Sequence, residues 1–157
     1  MNAKQVKNHI VLWLKAYAKK ANTKGFVIGV SGGIDSAVTS ILAAETGLPL
    51  LCVEIPIYQS KKQVTRAQKH IADLKNKYKN VTDIEAELTP VFDAFIKVVP
   101  PIKNDEERAM ALANTRARFR MTTLYYFASL NNYLVLGTGN KVEDFGVGFY
   151  TKYGDGG

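Results

Sequence analysis

The chain has 157 residues, 46% of them hydrophobic, with 21 basic residues against 14 acidic ones. This size suits one domain that buries its own core, and the composition excludes a disordered or low-complexity protein. Apolar runs far shorter than the roughly 20 residues of a membrane helix, and an N-terminus without a signal-peptide core, predict a cytoplasmic protein. The net charge of +7 fits a nucleotide, a nucleic acid or a phosphorylated metabolite, and does not choose among them.

Helices and strands are predicted to alternate along the chain. Apolar residues at three- and four-residue steps predict an amphipathic helix over residues 4–20, with Trp13 packed in the core. Residues 26–30 lack alternation and predict a strand buried on both faces, followed by SGGIDS and a helix from Ile34 to near Gly47. The remaining predicted elements are a strand at 50–55, a helix at about 60–78, a strand at 81–87, a short helix near 90–98, a long helix at about 104–130 and a strand at 133–136.

This alternation predicts a single α/β domain over residues 1–157, built on a parallel sheet with helices on both faces. In such sheets ligands bind beyond the carboxyl ends of the strands. Two loops follow strands directly, SGGIDS at 31–36 and GTGNK at 137–141. Both are therefore expected at the ligand-binding edge.

The long helix at 104–130 carries two apolar stripes. One stripe is expected to cover the sheet, and the other to meet a second subunit in a symmetric dimer or to be covered by residues outside this chain. The stripes are Met110, Ala117, Met121, Leu124 and Ala128 on one face and Leu112, Phe119 and Tyr126 on nearly the opposite face. A homodimer through this helix is the expected assembly.

The segment SGGIDS at 31–36 has the features of a pyrophosphate-binding turn. Its two glycines let backbone N–H groups approach an anion, and the following helix directs its positive dipole end to the same point. The serine hydroxyls can add donors, and Asp35 can hold magnesium against phosphates. The lysine of a Walker loop is missing. The alternative is a plain glycine turn in which Asp35 and Ser36 cap the helix.

SGGIDS matches in full the SGGxDS loop of the ATP-pyrophosphatase superfamily, which the chain therefore resembles. Three further stretches resemble the NAD synthetase family: NTRARFRM at 114–121, LGTGNKVE at 136–143 and GFYTKYGDGG at 148–157. Together with SGGIDS they span nearly the whole chain, and the last stretch is the most specific. The resemblance implies a Rossmann-like fold of the adenine nucleotide alpha hydrolase type.

The resemblance also implies a carbon–nitrogen ligase. Its substrates would be ATP, deamido-NAD and ammonia, its metal cofactor Mg2+, and its products NAD, AMP and pyrophosphate. The nicotinate carboxylate would attack the α-phosphorus of ATP, and ammonia would then displace AMP from the adenylate. This chemistry rests on positioning and electrostatics. It needs no nucleophilic side chain, which fits a sequence without a Ser-His-Asp or Cys-His arrangement.

Site residues carry over from the resemblance by matched position. ATP would be bound by Gly29, Val30, Ser31, Gly32, Gly33, Ile34, Asp35, Ser36 and Thr138. Deamido-NAD would be bound by Asn114, Arg118, Lys152 and Asp155, and magnesium by Asp35 and Glu143. Arg116 and Arg120 lie about 200° away round the helix, so both pairs cannot face one site. The match favours Asn114 and Arg118.

Other titratable side chains are expected to be structural. His9 and His70 are isolated on lysine-rich helical faces, and Cys52 lies in an apolar run as a small buried residue. Glu54 stands where the family often has a basic residue, which leaves the adenine-side contacts open.

Compared with the family, this chain is expected to be an incomplete enzyme, truncated at its C-terminus. After GDGG the family continues with an acidic residue, a helix and a lysine-bearing loop over ATP. The sequence shows no glutaminase domain, which predicts ammonia as the direct donor unless another chain supplies the glutaminase.

Two alternatives stay open. The first is another ligase of the superfamily acting on a purine nucleotide or tRNA; the +7 charge supports it, whereas the missing CxxC makes nucleic acid an unexpected partner. The second is a catalytically impaired nucleotide-binding module. The presence of both predicted metal-binding carboxylates, Asp35 and Glu143, argues against this alternative.

Overall fold

The computed structural model describes residues 2–101, 104–148 and 150–155. Each helix and strand predicted from the sequence is present, within a few residues of its expected bounds. Among the described residues, none of the helices combines the length and apolar character needed to cross a membrane. The elements are α1 (Ala3–Lys20), β1 (Gly25–Gly29), α2 (Ile34–Ala44), β2 (Leu50–Glu54), α3 (Lys61–Lys77), β3 (Val81–Glu85), α4 (Thr89–Val98), α5 (Asp105–Asn131), β4 (Tyr133–Val135) and a π-helical turn at Val142–Val147.

The four strands form one parallel sheet in the order β3-β2-β1-β4. Val27 in β1 pairs with Leu51 on one side and with Val135 on the other. The chain therefore moves outward from β1 to β3 and then crosses back to place β4 on the opposite side of β1. The change of direction opens a crevice at the carboxyl ends of β1 and β4, the place where open α/β sheets bind ligands.

Both faces of the sheet are covered, as the non-alternating strand sequences predict. Phe26, Ile28 and Cys52 face the helices α1, α2 and α3, whereas Val27 and Val53 face α5. All five side chains are completely buried. The predicted α/β fold is confirmed. Burial raises the pKa of the Cys52 thiol to about 12, which suits its expected role as a small apolar residue.

Helix α1 buries a narrower stripe than its sequence predicts. Leu14 and Ala18, four residues apart, enter the core. Trp13 is 54% exposed, with its ring centroid 5.3 Å from that of Tyr17. Because α1 packs mainly against α2, only one edge of its apolar face is covered. The prediction that Trp13 packs in the core is wrong.

Helix α5 is covered on two sides, but one cover differs from the expected one. Leu124 packs on the sheet side. Phe119, on the other stripe, lies edge-on to Phe95 of α4, with ring centroids 5.6 Å apart. This part of the second stripe is thus covered by the chain itself and not by a second subunit. Tyr126, further along the same stripe, is 62% exposed. A dimer contact through this part of α5 stays a prediction.

His70, predicted to be structural, lies in contact with a neighbouring helix. Its Nε2 lies 2.8 Å from Oγ of Ser40, which joins α3 to α2. Burial lowers the pKa of His70, and the nearby Asp73 opposes that shift. The neutral ring is therefore favoured at this contact.

Candidate active site

The loop between β1 and α2 leaves the amino end of the helix open. α2 begins at Ile34 with Gly33 as its N-cap, and neither Asp35 nor Ser36 caps it. The N–H of Gly33 donates to Ser31 Oγ at 3.2 Å, and Ser36 Oγ donates to the Gly33 carbonyl at 3.1 Å. Capping of the helix by Asp35 or Ser36 is therefore excluded, and the amino end of α2 has no side-chain cap among the described residues.

Gly32 is required by both the backbone and the packing of this loop. Its φ is +78°, in the left-handed region that disfavours side chains. A Cβ there would lie 2.6 Å from the carbonyl oxygen of Gln63 in α3. On the other side, a Cβ at Gly29 would lie 3.4 Å from Leu124 of α5. The loop is therefore held between α3 and α5, with little room for adjustment.

A cavity of about 850 Å³ opens at the carboxyl edge of the sheet, at the crevice between β1 and β4. Cavities of this size accept nucleotide-sized ligands. Its lining comes from the loops after β1, β2 and β4, from α5 and from the C-terminal segment 150–155 (below, the C-terminal segment). The lining residues are Gly29, Val30, Ser31, Val53, Ile55, Ile57, Tyr58, Gln59, Gln63, Ala117, Arg120, Met121, Leu124, Tyr125, Val135, Leu136, Gly137, Thr138, Tyr153, Gly154 and Asp155.

The C-terminal segment docks on α5 through the residues predicted to bind the dinucleotide. Thr151 Oγ1 donates to Asn114 Oδ1 at 2.8 Å, and Arg118 Nε donates to the carbonyl oxygen of Lys152 at 3.2 Å. The N–H of Thr151 donates to Asp155 Oδ1 at 2.6 Å. Asn114, Arg118, Lys152 and Asp155 are thus brought together. Their contacts with a dinucleotide stay a prediction.

Only some of the other predicted residues line the cavity. Thr138 and residues 29–31 line the cavity, together with Asp155 of the C-terminal segment. The remainder of the SGGIDS segment, residues 32–36, lies in the turn after β1 and in the first turn of α2. Glu143 is exposed in the π-helical turn.

The predicted magnesium ligands do not form a ready-made cage. Asp35 is half-buried in the first turn of α2, and Glu143 is exposed. Among residues 2–101, 104–148 and 150–155, no group of three or more acidic, histidine or cysteine side chains could hold a metal ion. Two carboxylates supply hard oxygen donors of the kind magnesium takes when nucleotide phosphates provide other ligands.

Gln59 and Arg120 are two of the polar side chains in the cavity lining that the sequence did not predict. Gln59 Nε2 donates to the carbonyl oxygen of Ser31 at 3.2 Å and so supports the SGGIDS segment. Its position after β2, on the same edge as SGGIDS, could have indicated it. Arg120 Nε donates to the carbonyl oxygen of Ile55 at 3.1 Å, with its side chain against the cavity. The helical angle between Arg118 and Arg120 had argued against placing both at one site.

A second cavity of about 420 Å³ lies on the other face of the sheet, between α3 and β3. Glu54 lines it together with the acidic residues Asp83 and Glu85 of β3. Burial raises the pKa of Glu54, and the two neighbouring carboxylates raise it further. None of the residues predicted to bind substrates lines this cavity.

The family of the chain follows from its match to the model of one protein family. The NAD synthase model matches residues 6–157, which include SGGIDS, the start of α5 and the C-terminal segment. The chain belongs to the NAD synthase family. The resemblance drawn from the motifs is therefore confirmed.

Relatives in the NAD synthase family match the chain from end to end. The NH(3)-dependent NAD(+) synthetase of Mesoplasma florum is 40% identical over 100% of this chain and 62% of its own length. That of Pyrobaculum aerophilum is 35% identical over 100% of this chain and 57% of its own length. The chain thus spans about 60% of the length of these curated relatives.

Solved structures agree with this membership of the NAD synthase family. NMN synthetase from Francisella tularensis superposes with a TM-score of 0.89 at 32% identity, covering 100% of this chain and 62% of that one. NH3-dependent NAD synthetase from Campylobacter jejuni, solved with a nitrate ion, gives a TM-score of 0.85 at 32% identity, covering 99% and 64%. The parallel sheet with helices on both faces is the shared architecture.

Proposed function

We propose that the chain catalyses ATP-dependent amidation of deamido-NAD with ammonia, giving NAD, AMP and pyrophosphate through an adenylate. One observation carries the proposal: the uncapped amino end of α2 stands beside a nucleotide-sized cavity at the carboxyl edge of the sheet. Relatives at 35–40% identity bear the name NH(3)-dependent NAD(+) synthetase. The reaction is a proposal for this chain because those relatives are longer.

The first step places an anionic leaving group at the phosphate loop. The nicotinate carboxylate oxygen bonds to the α-phosphorus of ATP, and the bond from that phosphorus to the bridging oxygen breaks, releasing pyrophosphate. The N–H groups and dipole of α2 stabilise the charge on pyrophosphate. Gln59 holds the SGGIDS loop by donating a hydrogen bond to the Ser31 carbonyl. The N–H donors of the loop are therefore in place before the reaction.

The second step consumes the adenylate. Ammonia bonds to the carboxyl carbon through its lone pair, a proton leaves the nitrogen, and the carbon–oxygen bond to AMP breaks. The C-terminal segment closes one side of the cavity, since a Cβ at Gly154 would lie 3.0 Å from Cβ of Ala117 in α5. In the proposed mechanism this contact limits the access of water, which favours attack by ammonia over hydrolysis.

Magnesium fits the donor chemistry of the site. Asp35 and Glu143 would hold the ion, with phosphate oxygens as further ligands. When bound, it would neutralise phosphate charge and assist the departure of pyrophosphate.

A homodimer through α5 is proposed from its exposed apolar side chains. Tyr126 and Leu130 are 62% and 68% exposed, one helical turn apart. Light scattering of the wild type and of Leu130→Glu would test it: a dimer that the substitution leaves intact would exclude this contact. The cytoplasmic location stays a prediction.

A second acceptor, nicotinate mononucleotide, is suggested by the likeness to the NMN synthetase of Francisella tularensis. Both acceptors carry the nicotinate carboxylate, and deamido-NAD additionally carries an AMP moiety. Incubation with ATP, magnesium and ammonium, with either acceptor, a purine nucleotide or tRNA, distinguishes the alternatives by which acceptor is amidated. Deamido-NAD is expected to give the highest kcat/KM, and a higher value for another acceptor would refute the proposed substrate.

A further inference from the structure

Arg120 is the one cationic side chain among the described residues that line the large cavity. The other two arginines nearby are engaged elsewhere: the Arg116 guanidinium lies 5.4 Å from the ring centroid of Phe92, and Arg118 binds the carbonyl of Lys152. No ion pair joins Arg120 to a carboxylate of the described chain. The guanidinium of Arg120 therefore has no ion-pair partner among the described residues, although the Asp155 carboxylate lines the same cavity.

The position of Arg120 relative to the phosphate loop follows from the packing of α5. Leu124 lies against Gly29, the last residue of β1. Arg120 is about one turn earlier on the same face of the helix. Its Nε donates to the carbonyl of Ile55, the residue just after β2, so the side chain lies beyond the strand ends. This is the edge that also carries SGGIDS.

The hydrogen bond to Ile55 fixes the guanidinium without using its outer face. A guanidinium has five N–H donors, and the bond to Ile55 uses the one on Nε. The four on the two terminal nitrogens form a planar fork, which matches two oxygens of a phosphate. The fork is thereby oriented before any ligand arrives.

Electrostatics make an anion the expected ligand. Burial lowers the pKa of Arg120, and repulsion from Arg116 adds to this effect. The guanidinium nevertheless stays charged at neutral pH, because its ordinary pKa is so high. Holding an unpaired cation in this environment costs free energy, which a bound anion would offset.

We propose that Arg120 binds a phosphate oxyanion of the substrates in the large cavity, at the sheet edge that also carries SGGIDS. The inference rests on the proposed function for the identity of the ligand. Two phosphate sources are chemically equivalent at this position: the triphosphate of ATP, with the pyrophosphate released from it, and the diphosphate bridge of deamido-NAD.

Calorimetric titration of Arg120→Gln with inorganic pyrophosphate, ATP and deamido-NAD tests this binding without requiring turnover. The variant is expected to lose about 10- to 100-fold in affinity for at least one probe. Loss with pyrophosphate and ATP identifies the ATP phosphates, and loss with deamido-NAD alone identifies the dinucleotide. Arg116→Gln removes the same charge one turn away and is expected to change each affinity less than about threefold.

Equal affinities of Arg120→Gln and the wild type for all three probes would overturn the inference, as would equal losses in Arg116→Gln. A wild type that binds none of the probes would also overturn it. NAD formation is assayed separately, so failure of the reaction is distinguished from failure of this assignment. If Arg120→Gln does not fold, Arg120→Lys keeps the charge without the planar fork; an affinity as high as that of the wild type would refute fork binding.

Discussion

Thr151 donates a hydrogen bond from Oγ1 to Oδ1 of Asn114 at 2.8 Å, and Thr151 is only 8% exposed. One turn along α5, Arg118 Nε donates a hydrogen bond to the backbone carbonyl oxygen of Lys152. The position of the C-terminal segment is thus set by two polar side chains of α5. These are the residues that the family motif identified as dinucleotide ligands.

Asn114→Ala is expected to loosen the C-terminal segment, because it leaves the buried Thr151 hydroxyl without its acceptor. Such a loss costs about 1–3 kcal/mol locally. Hydrogen exchange at residues 151–155 should accelerate, and the KM for deamido-NAD should rise. Thr115→Ala is the matched control, since the Thr115 hydroxyl donates to the carbonyl oxygen of Ala111 within α5. Unchanged exchange in Asn114→Ala would contradict the docking role.

Gly32→Ala is expected to abolish ATP binding, because the new Cβ meets the Gln63 carbonyl at 2.6 Å and the φ of +78° is strained. Gly47→Ala is the control, with a φ of +73° and nothing within 4 Å of its Cβ. It should lose only about 1–2 kcal/mol of unfolding free energy and keep its ATP affinity. Calorimetry and thermal unfolding measure both. Similar ATP affinities in the two variants would show that α3 does not constrain the loop.

Asp35→Ala is expected to abolish formation of AMP and pyrophosphate, because it removes one proposed magnesium ligand beside the phosphates. Its Tm should stay close to that of the wild type, since the side chain does not cap α2. Asp73→Asn on the exposed face of α3 removes an equal charge and should leave the rate unchanged. Full activity of Asp35→Ala at limiting magnesium would rule out the metal assignment.

Glu54→Gln is expected to stabilise the protein at pH 7–8. The folded pKa of Glu54 is raised by burial and by Glu85 and Asp83, so folding disfavours the charged form. The stability that Glu54 contributes is present below its unfolded pKa of about 4.3 and is lost as pH rises through the folded value.

Thermal unfolding of the variant against pH measures this effect. A gain of 1 kcal/mol corresponds to about 2–4 °C in Tm for a domain of this size. The gain should shrink as pH falls towards 4. Glu85 of β3 is exposed and pairs with Glu54 of β2 in the sheet. Glu85→Gln should therefore give a smaller gain in Tm. A gain for Glu54→Gln that grows at low pH would contradict the sign of the shift.

Much of the fold could be predicted because the spacing of apolar residues along the sequence indicates which faces of a helix or strand are buried. Phe26, Val27 and Ile28 lack alternation, and all three are completely buried between two layers of helices. Trp13 could not be placed in the same way. Its helix packs against α2 along Leu14 and Ala18, and no sequence pattern shows which edge of an apolar face a neighbour covers.

The positions of the candidate site residues could be predicted where a sequence motif fixes the backbone conformation. They were harder to predict on α5, where several polar side chains lie on different faces of one helix. Asn114 and Arg118 were placed on the functional face, and Arg120 on the other. The structure uses both faces: the C-terminal segment contacts Asn114 and Arg118 and then passes over Ala117 into the cavity that Arg120 lines. The helical angle was correct, but the segment that wraps the helix could not be deduced from it.

The most direct test of the proposed amidation supplies ATP, magnesium, deamido-NAD and isotopically labelled ammonium, and follows products by mass spectrometry. NAD carrying the label, AMP and pyrophosphate should form in equal amounts, and Asp35→Ala should form none of them. Release of ADP and phosphate, or AMP formation that does not depend on deamido-NAD, would contradict the account.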